Sequence, residues 1–259
     1  MILPRSAPHG QEVSRPLAID TVTFDFHNTI AQCDEWFQLE IRTLVQALLR
    51  RVDESGTRFS DATLAAAAER YRALRLEIIQ HGNEQDAFSC VVQVLDELDI
   101  QLDEPTIERG IHDLMLAALP DSRPIPGVVE AVRQLADDGL KLGIISNAIY
   151  HPFLDWSLEK FGIADAFELV VTSASAGLYK SRVELYQYTT DELGSSVDRT
   201  IHIGDSYRFD VLGARAAGLK TVWFDTGHTE GFGEDADLRV TTLEGLADTL
   251  LDRFEIRTP

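Results

Sequence analysis

The second half of the sequence alternates short apolar runs with longer stretches of helical periodicity. Four of the apolar runs have the length of buried strands: residues 140–146, 167–173, 200–204 and 219–224. Helical stretches surround them, one opening at Pro126 and the others covering residues 152–161, 181–193, 208–217 and 242–252. Strands that alternate with helices of this length predict a parallel sheet with right-handed crossovers. The predicted fold class is therefore α/β, with a doubly wound (Rossmann-like) sheet.

One more strand is predicted ahead of this region, over residues 18–26. The run is rich in β-branched and aromatic residues, and it ends in the polar triplet His27-Asn28-Thr29. In α/β proteins, ligands bind beyond the carboxyl ends of the strands. A strand that ends in chemically active side chains therefore marks a candidate site.

Residues 31–120 follow a different pattern, with four apolar stripes at helical spacing and no predicted strand. The stripes begin at Phe37, Leu64, Phe88 and Ile107, and prolines end the block. This pattern predicts an all-helical unit inserted after the first strand. The predicted domains are a flexible tail over residues 1–17, an α/β core over 18–30 and 121–259, and a helical cap over 31–120.

Three arginines, Arg70, Arg72 and Arg75, share one of the cap helices. They could meet an anionic substrate. The favoured interpretation is a solvated helix face, because Glu69 and Glu77 lie close enough along the helix to pair with them.

The charge balance argues against a polyanionic partner. The chain has 23 basic and 43 acidic residues and a formal charge of −20 at pH 7, whereas nucleic-acid-binding proteins carry a basic footprint. An anionic substrate would need a locally positive pocket inside this field. We find no signal-peptide pattern or membrane-length apolar run, and the cysteines, Cys33 and Cys90, match no disulfide or metal-binding pattern. We expect a cytoplasmic monomer or homodimer with no nucleic-acid or membrane partner.

Polar residues follow the predicted strands at four places: Asp25 to Thr29, Ser146-Asn147, Lys180, and Asp205 with Asp210. Strand ends in a doubly wound sheet meet at one crevice, so these groups are expected to converge. Neighbouring carboxylates repel one another unless a cation joins them, and an all-oxygen ligand set suits Mg²⁺. With Lys180, one of only four lysines, such an ion would clamp a phosphoryl group, whose transfer depends on positioning and charge neutralisation.

The four places resemble the motifs of one known family, the haloacid dehalogenase superfamily. TFDFHNT is similar to its first motif, Asp-x-Asp-x-Thr, with one substitution, and LGIISNA resembles the second, a strand ending in Ser or Thr. SAGLYKSRVELY resembles the segment that supplies the family's lysine. HIGDSYRFDVLGARAAGL resembles the acidic fourth motif, Gly-Asp-x-x-x-x-Asp. The motifs occur in the family's order, and the helical block between the first two resembles the subfamily with a cap at that point.

The resemblance implies a role for each matched position. Asp25 corresponds to the nucleophile, which forms an aspartyl-phosphate and so divides the displacement into two easier steps. Lys180 corresponds to the lysine that neutralises the nucleophile and the phosphoryl oxygens. The implied substrate-binding residues are Thr29, Ser146, Asn147 and Lys180, with Ser146 and Lys180 also counted as catalytic. The implied metal ligands are the side chains of Asp25, Asp205 and Asp210 and the backbone carbonyl of His27.

His27 departs from the family pattern. Phosphatases of the family usually have a second Asp there, which protonates the leaving group and later activates water. Histidine is capable of both jobs, since its unperturbed pKa is about 6.5, and His27 is therefore included among the catalytic residues. The substitution also leaves open an altered chemistry or an impaired one.

The sequence thus predicts a Mg²⁺-dependent hydrolase, in the first place a phosphatase for a small phosphorylated metabolite. A dehalogenase would use Asp25 without Mg²⁺ and has little need of Asp205 and Asp210. A phosphonate-cleaving enzyme usually draws on a cap lysine, and all four lysines lie outside the predicted cap. A non-catalytic module that binds a phosphorylated ligand is the alternative from another class.

Overall fold

The computed structural model describes residues 18–53, 56–227 and 234–256. The tail predicted over residues 1–17 lies outside these ranges. The described strands are β1 (Thr21–Phe24), β2 (Ala31–Gln32), β3 (Arg123–Pro124), β4 (Lys141–Ser146), β5 (Leu169–Thr172), β6 (Thr200–Gly204), β7 (Lys220–Phe224) and β8 (Leu238–Val240). Six of them form one parallel sheet in the order β5-β4-β1-β6-β7-β8. All five predicted strands are present, and β8 is an addition that the sequence pattern did not predict.

Helices precede, connect and cover the strands. The described α-helices are α1 (Asp34–Gln38), α2 (Leu44–Val52), α3 (Asp61–His81), α4 (Ala87–Glu97), α5 (Glu104–Ala118), α6 (Val128–Asp137), α7 (Pro152–Phe161), α8 (Ser173–Ala176), α9 (Val183–Glu192), α10 (Ala214–Ala217) and α11 (Leu246–Arg253). Successive residues of β4 show that both faces of the sheet are covered. Ile144 belongs to the main apolar core, whereas Ile145 packs with Leu185 and Tyr186 of α9 in a second cluster. The predicted α/β doubly wound fold is confirmed.

β1 lies in the middle of the sheet, with Phe24 in register with Ile144 of β4 and Ile203 of β6. After β1 the chain builds the β4–β5 half and then crosses back to build the β6–β8 half. The strand order therefore reverses at β1, which makes the carboxyl end of β1 the switch point where ligands of such sheets bind.

Helices α1–α5, here called the helical insert, lie between β2 and β3. The prediction that residues 31–120 contain no strand is wrong at one end. Ala31–Gln32 pairs antiparallel with Arg123–Pro124, and Ile125 N donates to Ile30 O at 3.0 Å. The two chain segments that enter and leave the insert run side by side, so their backbone groups satisfy one another.

The solvated arginine face predicted on α3 is wrong for Arg75. Arg70 does pair with Glu77 and with Glu97 on α4. Arg75 is instead fully buried and makes two hydrogen bonds to Glu84, at 2.6 and 3.1 Å. It faces the junction between the insert and the sheet domain, because Ser173 of α8 donates to the same carboxylate.

The helix predicted over residues 208–217 has a different form. A π-helical turn covers Tyr207–Gly213, and only Ala214–Ala217 is α-helical. Such widened turns are rare and are often found at functional sites. Among the described residues, no helix combines the length and the apolar character needed to cross a membrane.

Candidate active site

A cavity of about 340 Å³ opens at the carboxyl ends of β1, β4 and β6. The sheet domain contributes nearly all of the predicted site residues to its lining, and the insert contributes only hydrophobic side chains. From the sheet domain come Asp25, His27, Asn28, Ser146, Asn147, Tyr179, Lys180, Asp205, Ser206, Phe209 and Asp210. From the insert come Trp36, Phe37, Ile41 and Ile79.

Asp25 follows directly after β1 and is held in place by the neighbouring strand, since its N–H donates to Ile203 O at 2.8 Å. Its side chain accepts a hydrogen bond from the Lys180 ammonium. Burial raises the pKa of Asp25, and the nearby Asp210 charge adds to this effect, while Lys180 opposes it. The carboxylate therefore lies in a place where its negative charge is only partly stabilised by the protein.

Lys180 bridges two carboxylates. Its Nζ donates to Asp25 and, at 2.7 Å, to Asp210 Oδ1. Burial alone would lower the pKa of Lys180, but Asp210 and Asp25 together raise it, so the ammonium stays charged. Its backbone N–H donates to Asn147 Oδ1 at 2.8 Å, which ties the lysine segment to the loop after β4.

Asp210 is the most strongly hydrogen-bonded acid of the site. Its Oδ1 accepts from Lys180 and from His202 Nε2 at 3.1 Å, and its Oδ2 accepts from Ser206 N at 2.9 Å. Burial would raise the pKa of Asp210, but Lys180 and His202 outweigh it and lower the pKa. A Cβ on Gly204 would lie 2.2 Å from Asp210 Cγ. Only glycine at the end of β6 leaves room for this carboxylate.

His202 is a supporting residue whose role the sequence did not reveal. It was interpreted as a strand residue that faces a neighbour. The structure places it fully buried between Thr23, whose Oγ1 lies 2.9 Å from His202 Nδ1, and Asp210. The only available signal was a polar residue two positions before the end of a buried strand, and such a residue is more often structural.

Asp205 follows β6 and completes a cluster of three acids. Its carbonyl accepts from Trp223 Nε1 at 3.1 Å, and its side chain is hydrogen-bonded by Asn28. Burial raises the pKa of Asp205, and the charges of Asp25 and Asp210 raise it further.

The geometry of the three acids fits a divalent cation. Asp25, Asp205 and Asp210 each offer a carboxylate oxygen, and these oxygens all lie within 4.8 Å of one another. Octahedral ligands at about 2.1 Å from an ion are about 2.9 to 4.2 Å apart. Lys180 supplies one positive charge for three carboxylates, so the protein alone leaves part of the negative charge unbalanced.

Ser146 and Asn147 lie beside Lys180 on the cavity wall. Ser146 is buried and lines the cavity, so its hydroxyl is placed to meet a ligand there. Thr29 is placed differently from the other predicted residues. It is fully buried, does not line the cavity, and its Oγ1 has no partner among the described residues. Its assignment to substrate binding stays a prediction.

His27 lines the cavity on the side of the insert. Its ring stacks on Phe37, with centroids 4.3 Å apart and planes 1° from parallel. Its Nε2 lies 4.0 Å from Asp34 and has no hydrogen-bond partner among the described residues. Burial lowers the pKa of His27 to about 4, although Asp34 opposes the shift. The imidazole is therefore neutral at pH 7 in this arrangement.

A larger cavity, of about 690 Å³, lies between α4, α5 and the loop after β4. Its walls are mostly apolar and include Phe88, Ile111 and Tyr150. Among the described residues, the three-acid cluster of the smaller cavity is the one group with metal-binding geometry. The candidate site is therefore identified by its three carboxylates and not by the volume of its cavity.

Comparison with known proteins identifies similar hydrolases. A model of haloacid dehalogenase-like hydrolases matches residues 19–218, which include every strand-end group of the site. The chain is 26% identical over 239 residues to a glyceraldehyde 3-phosphate phosphatase of Methanocaldococcus jannaschii, covering 89% of this chain and 96% of that protein. It is 28% identical over 176 residues to a phosphoglycolate phosphatase of Agrobacterium fabrum, covering 67% of this chain and 68% of that one.

Solved structures show the same fold. A phosphatase of the haloacid dehalogenase type from Thermococcus onnurineus superposes with a TM-score of 0.64 at 22% identity, covering 92% of this chain and 100% of that one. At this level of identity the likeness concerns the fold, including the sheet that carries the site.

Proposed function

The chain belongs to the haloacid dehalogenase-like hydrolases, and we propose that it is a Mg²⁺-dependent phosphatase that acts on small phosphate monoesters through an aspartyl-phosphate at Asp25. The observation that carries the proposal is the three-acid cluster with a single lysine. Asp25, Asp205 and Asp210 come within 4.8 Å of one another, and Lys180 bridges two of them. Such a set of groups can hold a divalent cation, and the cation together with Lys180 suits a doubly charged phosphoryl group.

Different residues of the cavity have different roles in phosphoryl transfer. An oxygen of Asp25 attacks phosphorus and forms a bond to the phosphoryl group, while the bond to the leaving oxygen breaks and the leaving oxygen takes up a proton from solvent. Lys180 neutralises charge on the phosphoryl oxygens, and the Ser146 hydroxyl donates a hydrogen bond to them. Asn147 keeps Lys180 in place by accepting a hydrogen bond from its backbone N–H. Water then cleaves the aspartyl-phosphate and regenerates Asp25.

The proposed Mg²⁺ ligands are Asp25, Asp205 and the backbone carbonyl of His27. When bound, Mg²⁺ supplies charge neutralisation and alignment for the phosphoryl group. Asp210 already accepts three hydrogen bonds from the protein. Asp210 is therefore assigned to hold Lys180 in place and to support the ion without binding it directly.

His27 is the proposed proton-transfer residue, because it lines the cavity and follows the nucleophile Asp25 by two residues. A neutral imidazole accepts a proton from water more readily than it delivers one to a leaving oxygen. The second step, attack by water, is therefore the step that His27 is best placed to assist.

The insert is proposed to act as a cap, with the domain boundaries near residues 31 and 120. Four of its hydrophobic side chains line the cavity above the acids. A lid of this kind excludes water and strengthens the electrostatic interactions below it. The named relatives act on small phosphorylated compounds, which supports the same class of substrate here.

The proposal is tested by hydrolysis of 4-nitrophenyl phosphate with and without Mg²⁺. We expect turnover that requires the metal and is lost in Asp25→Asn. Asp252→Asn, an exposed carboxylate on α11, is the matched control and keeps wild-type turnover. An inert wild type that becomes active as His27→Asp would favour the non-catalytic module instead, and metal-independent release of halide from a 2-haloacid would favour a dehalogenase.

A further inference from the structure

The part of the cavity lined by the insert is hydrophobic. The insert contributes four side chains to the lining: Trp36, Phe37, Ile41 and Ile79. Phe37, Ile41 and Ile79 are half-buried, so each keeps some surface open to the cavity. The sheet domain adds Tyr179 and Phe209, whose rings meet edge to face at 5.4 Å.

Polar atoms on this side of the cavity are few. Trp36 Nε1 is buried and has no hydrogen-bond partner among the described residues. His27 stacks on Phe37 and presents a flat aromatic surface. An indole N–H suits a neutral oxygen acceptor, whereas it cannot balance a full negative charge.

The lining contains no cation for a second anionic group. Within the described ranges, Lys180 is the one lysine or arginine among the lining residues, and its ammonium is held by Asp25 and Asp210. Arg75 of the insert is buried and is already paired with Glu84. Arg208 is exposed, lies over the Phe209 ring at 5.0 Å, and does not line the cavity.

The charge of the site also opposes a second anion. Three carboxylates and one ammonium leave two negative charges, which one divalent cation balances. The dianionic phosphoryl group of the substrate then has no surplus positive charge beside it. A further carboxylate or phosphate on the leaving group would lose its hydration in a hydrophobic space without an ionic partner, which is costly.

We propose, on the basis of the phosphatase function above, that this enzyme selects phosphate monoesters whose leaving group is uncharged and has an apolar or aromatic face. Ile79, Ile41 and Phe37 are the residues that set this selectivity. Substrates with a second anionic group, such as phosphoglycolate and bisphosphates, are disfavoured.

The test compares two leaving groups of the same shape, 4-carbamoylphenyl phosphate and 4-carboxyphenyl phosphate. We expect kcat/KM to be about ten-fold or more higher for the uncharged amide, mainly through a lower KM, because the carboxylate has no partner in the cavity. Equal values, or a preference for the carboxylate, would overturn the proposal.

Two variants locate the effect. Ile79→Arg places a cation in the hydrophobic part of the cavity, and we expect it to shift the amide-to-carboxylate ratio at least about ten-fold toward the carboxylate. Ile79→Met lengthens the side chain without charge and separates size from charge. Arg208→Ala should leave the ratio as it is in the wild type. A ratio that changes only in Arg208→Ala would mean that Arg208 recognises the leaving group, contrary to the proposal.

Binding of the corresponding phenylphosphonates, measured by calorimetry with Mg²⁺ present, separates this inference from the proposed function. These analogues cannot be hydrolysed at the carbon–phosphorus bond by phosphate-ester chemistry. A protein that turns over neither ester but binds the amide analogue about ten-fold more tightly refutes the phosphatase and supports the pocket preference. A protein that binds neither analogue overturns both.

Discussion

Two buried clusters of charged side chains lie in this molecule, and they are built differently. The site cluster consists of Asp25, Lys180, His202, Asp205 and Asp210. The insert cluster consists of Glu40, Arg75, Glu84 and Ser173. In the site cluster, three carboxylates share one ammonium, so the protein leaves negative charge without a counter-charge. In the insert cluster, the charges of Arg75 and Glu84 balance each other.

The insert cluster is balanced in charge, although Arg75 Nε is buried and has no hydrogen-bond partner among the described residues. Arg75 makes two hydrogen bonds to Glu84, and Glu84 accepts two more, from Gln85 N at 2.9 Å and Ser173 Oγ at 2.8 Å. Glu40 accepts from Ile149 N at 2.9 Å, and burial raises its pKa to about 8. It is therefore mostly protonated at neutral pH, and the remaining pair is neutral overall.

The comparison separates two uses of buried charge. A charge-balanced ion pair can serve the fold: the Arg75–Glu84 pair lies within the insert, and Ser173 of the sheet domain donates to its carboxylate. A cluster that lacks counter-charge must bind a cation or take up protons, because isolated buried charges are expensive. A buried cluster points to function when the protein leaves its charges unbalanced, and burial alone does not.

The largest expected effect is the loss of activity in the site cluster. Asp25→Asn should lower kcat for an aryl phosphate by about a thousand-fold or more, since the amide is not a nucleophile. Thermal unfolding of the same variant should still be cooperative. Steady-state kinetics with Mg²⁺ measures the first quantity, and circular dichroism measures the second. A variant that keeps a tenth of the activity would show that Asp25 is not the nucleophile.

Removal of one partner from the insert cluster should affect stability instead. Arg75→Met leaves Glu84 buried without its cation and should lower the free energy of unfolding by about 3 to 5 kcal/mol. Arg70→Met on the same helix removes a partly exposed pair with Glu97 and should cost about 0 to 1 kcal/mol. Denaturant titration of both variants gives the comparison. Equal losses would mean that the Arg75 pair contributes no more than a surface pair.

Mg²⁺ should stabilise only the cluster that lacks counter-charge. At about a hundred times its dissociation constant, the ion should add about 2.7 kcal/mol to the free energy of unfolding of the wild type. Asp205→Asn should lose most of this gain. Arg75→Met should keep it, because the insert cluster does not bind the ion. Thermal melts with and without MgCl₂ measure the gain, and an equal gain in all three proteins would place the ion elsewhere.

The last expected effect concerns pH. The pKa of Glu40 is raised by burial from 4.5 to about 8, so between these values the folded state keeps a proton that the unfolded chain releases. Its stabilising contribution is full below about pH 4.5 and is lost as the pH rises through about 8, at most about 1.4 kcal/mol per pH unit. Glu40→Gln should therefore flatten the decline in stability between pH 5 and 8.

Denaturant titrations across that pH range, with the exposed Glu69→Gln as control, measure the slope. Parallel curves for the wild type and Glu40→Gln would show that Glu40 does not carry the pH dependence.

The two clusters also differ in how far the sequence predicted them. Asp25 and Asp205 directly follow buried strands and Ser146 ends one, and the sheet topology brings such positions together. Lys180 lies farther along the chain, eight residues beyond β5 and after α8. The pattern of strands was therefore enough to predict both the fold and most of the site. The cavity confirms that these side chains are neighbours, while their catalytic roles stay predictions.

The insert cluster could not be predicted in the same way. Arg75 is one of three arginines on a helix rich in acids, and local spacing favours pairing along the helix. Its real partner, Glu84, lies nine residues on and beyond the end of that helix. Only tertiary packing decides which arginine turns inward. The role of His202 and the strand β8 were not predicted for the same reason. A single polar residue or a very short strand does not reveal its long-range contacts in the sequence.

The most direct test of the account is a crystal structure of the protein with Mg²⁺ and beryllium fluoride, a mimic of a phosphoryl group on a carboxylate. The account predicts beryllium bonded to an Asp25 oxygen, with Mg²⁺ at about 2.1 Å from oxygens of Asp25 and Asp205. Lys180 and Ser146 should donate to the fluorides. Beryllium fluoride and Mg²⁺ bound away from Asp25 and Asp205, with those side chains still paired only with protein groups, would contradict it.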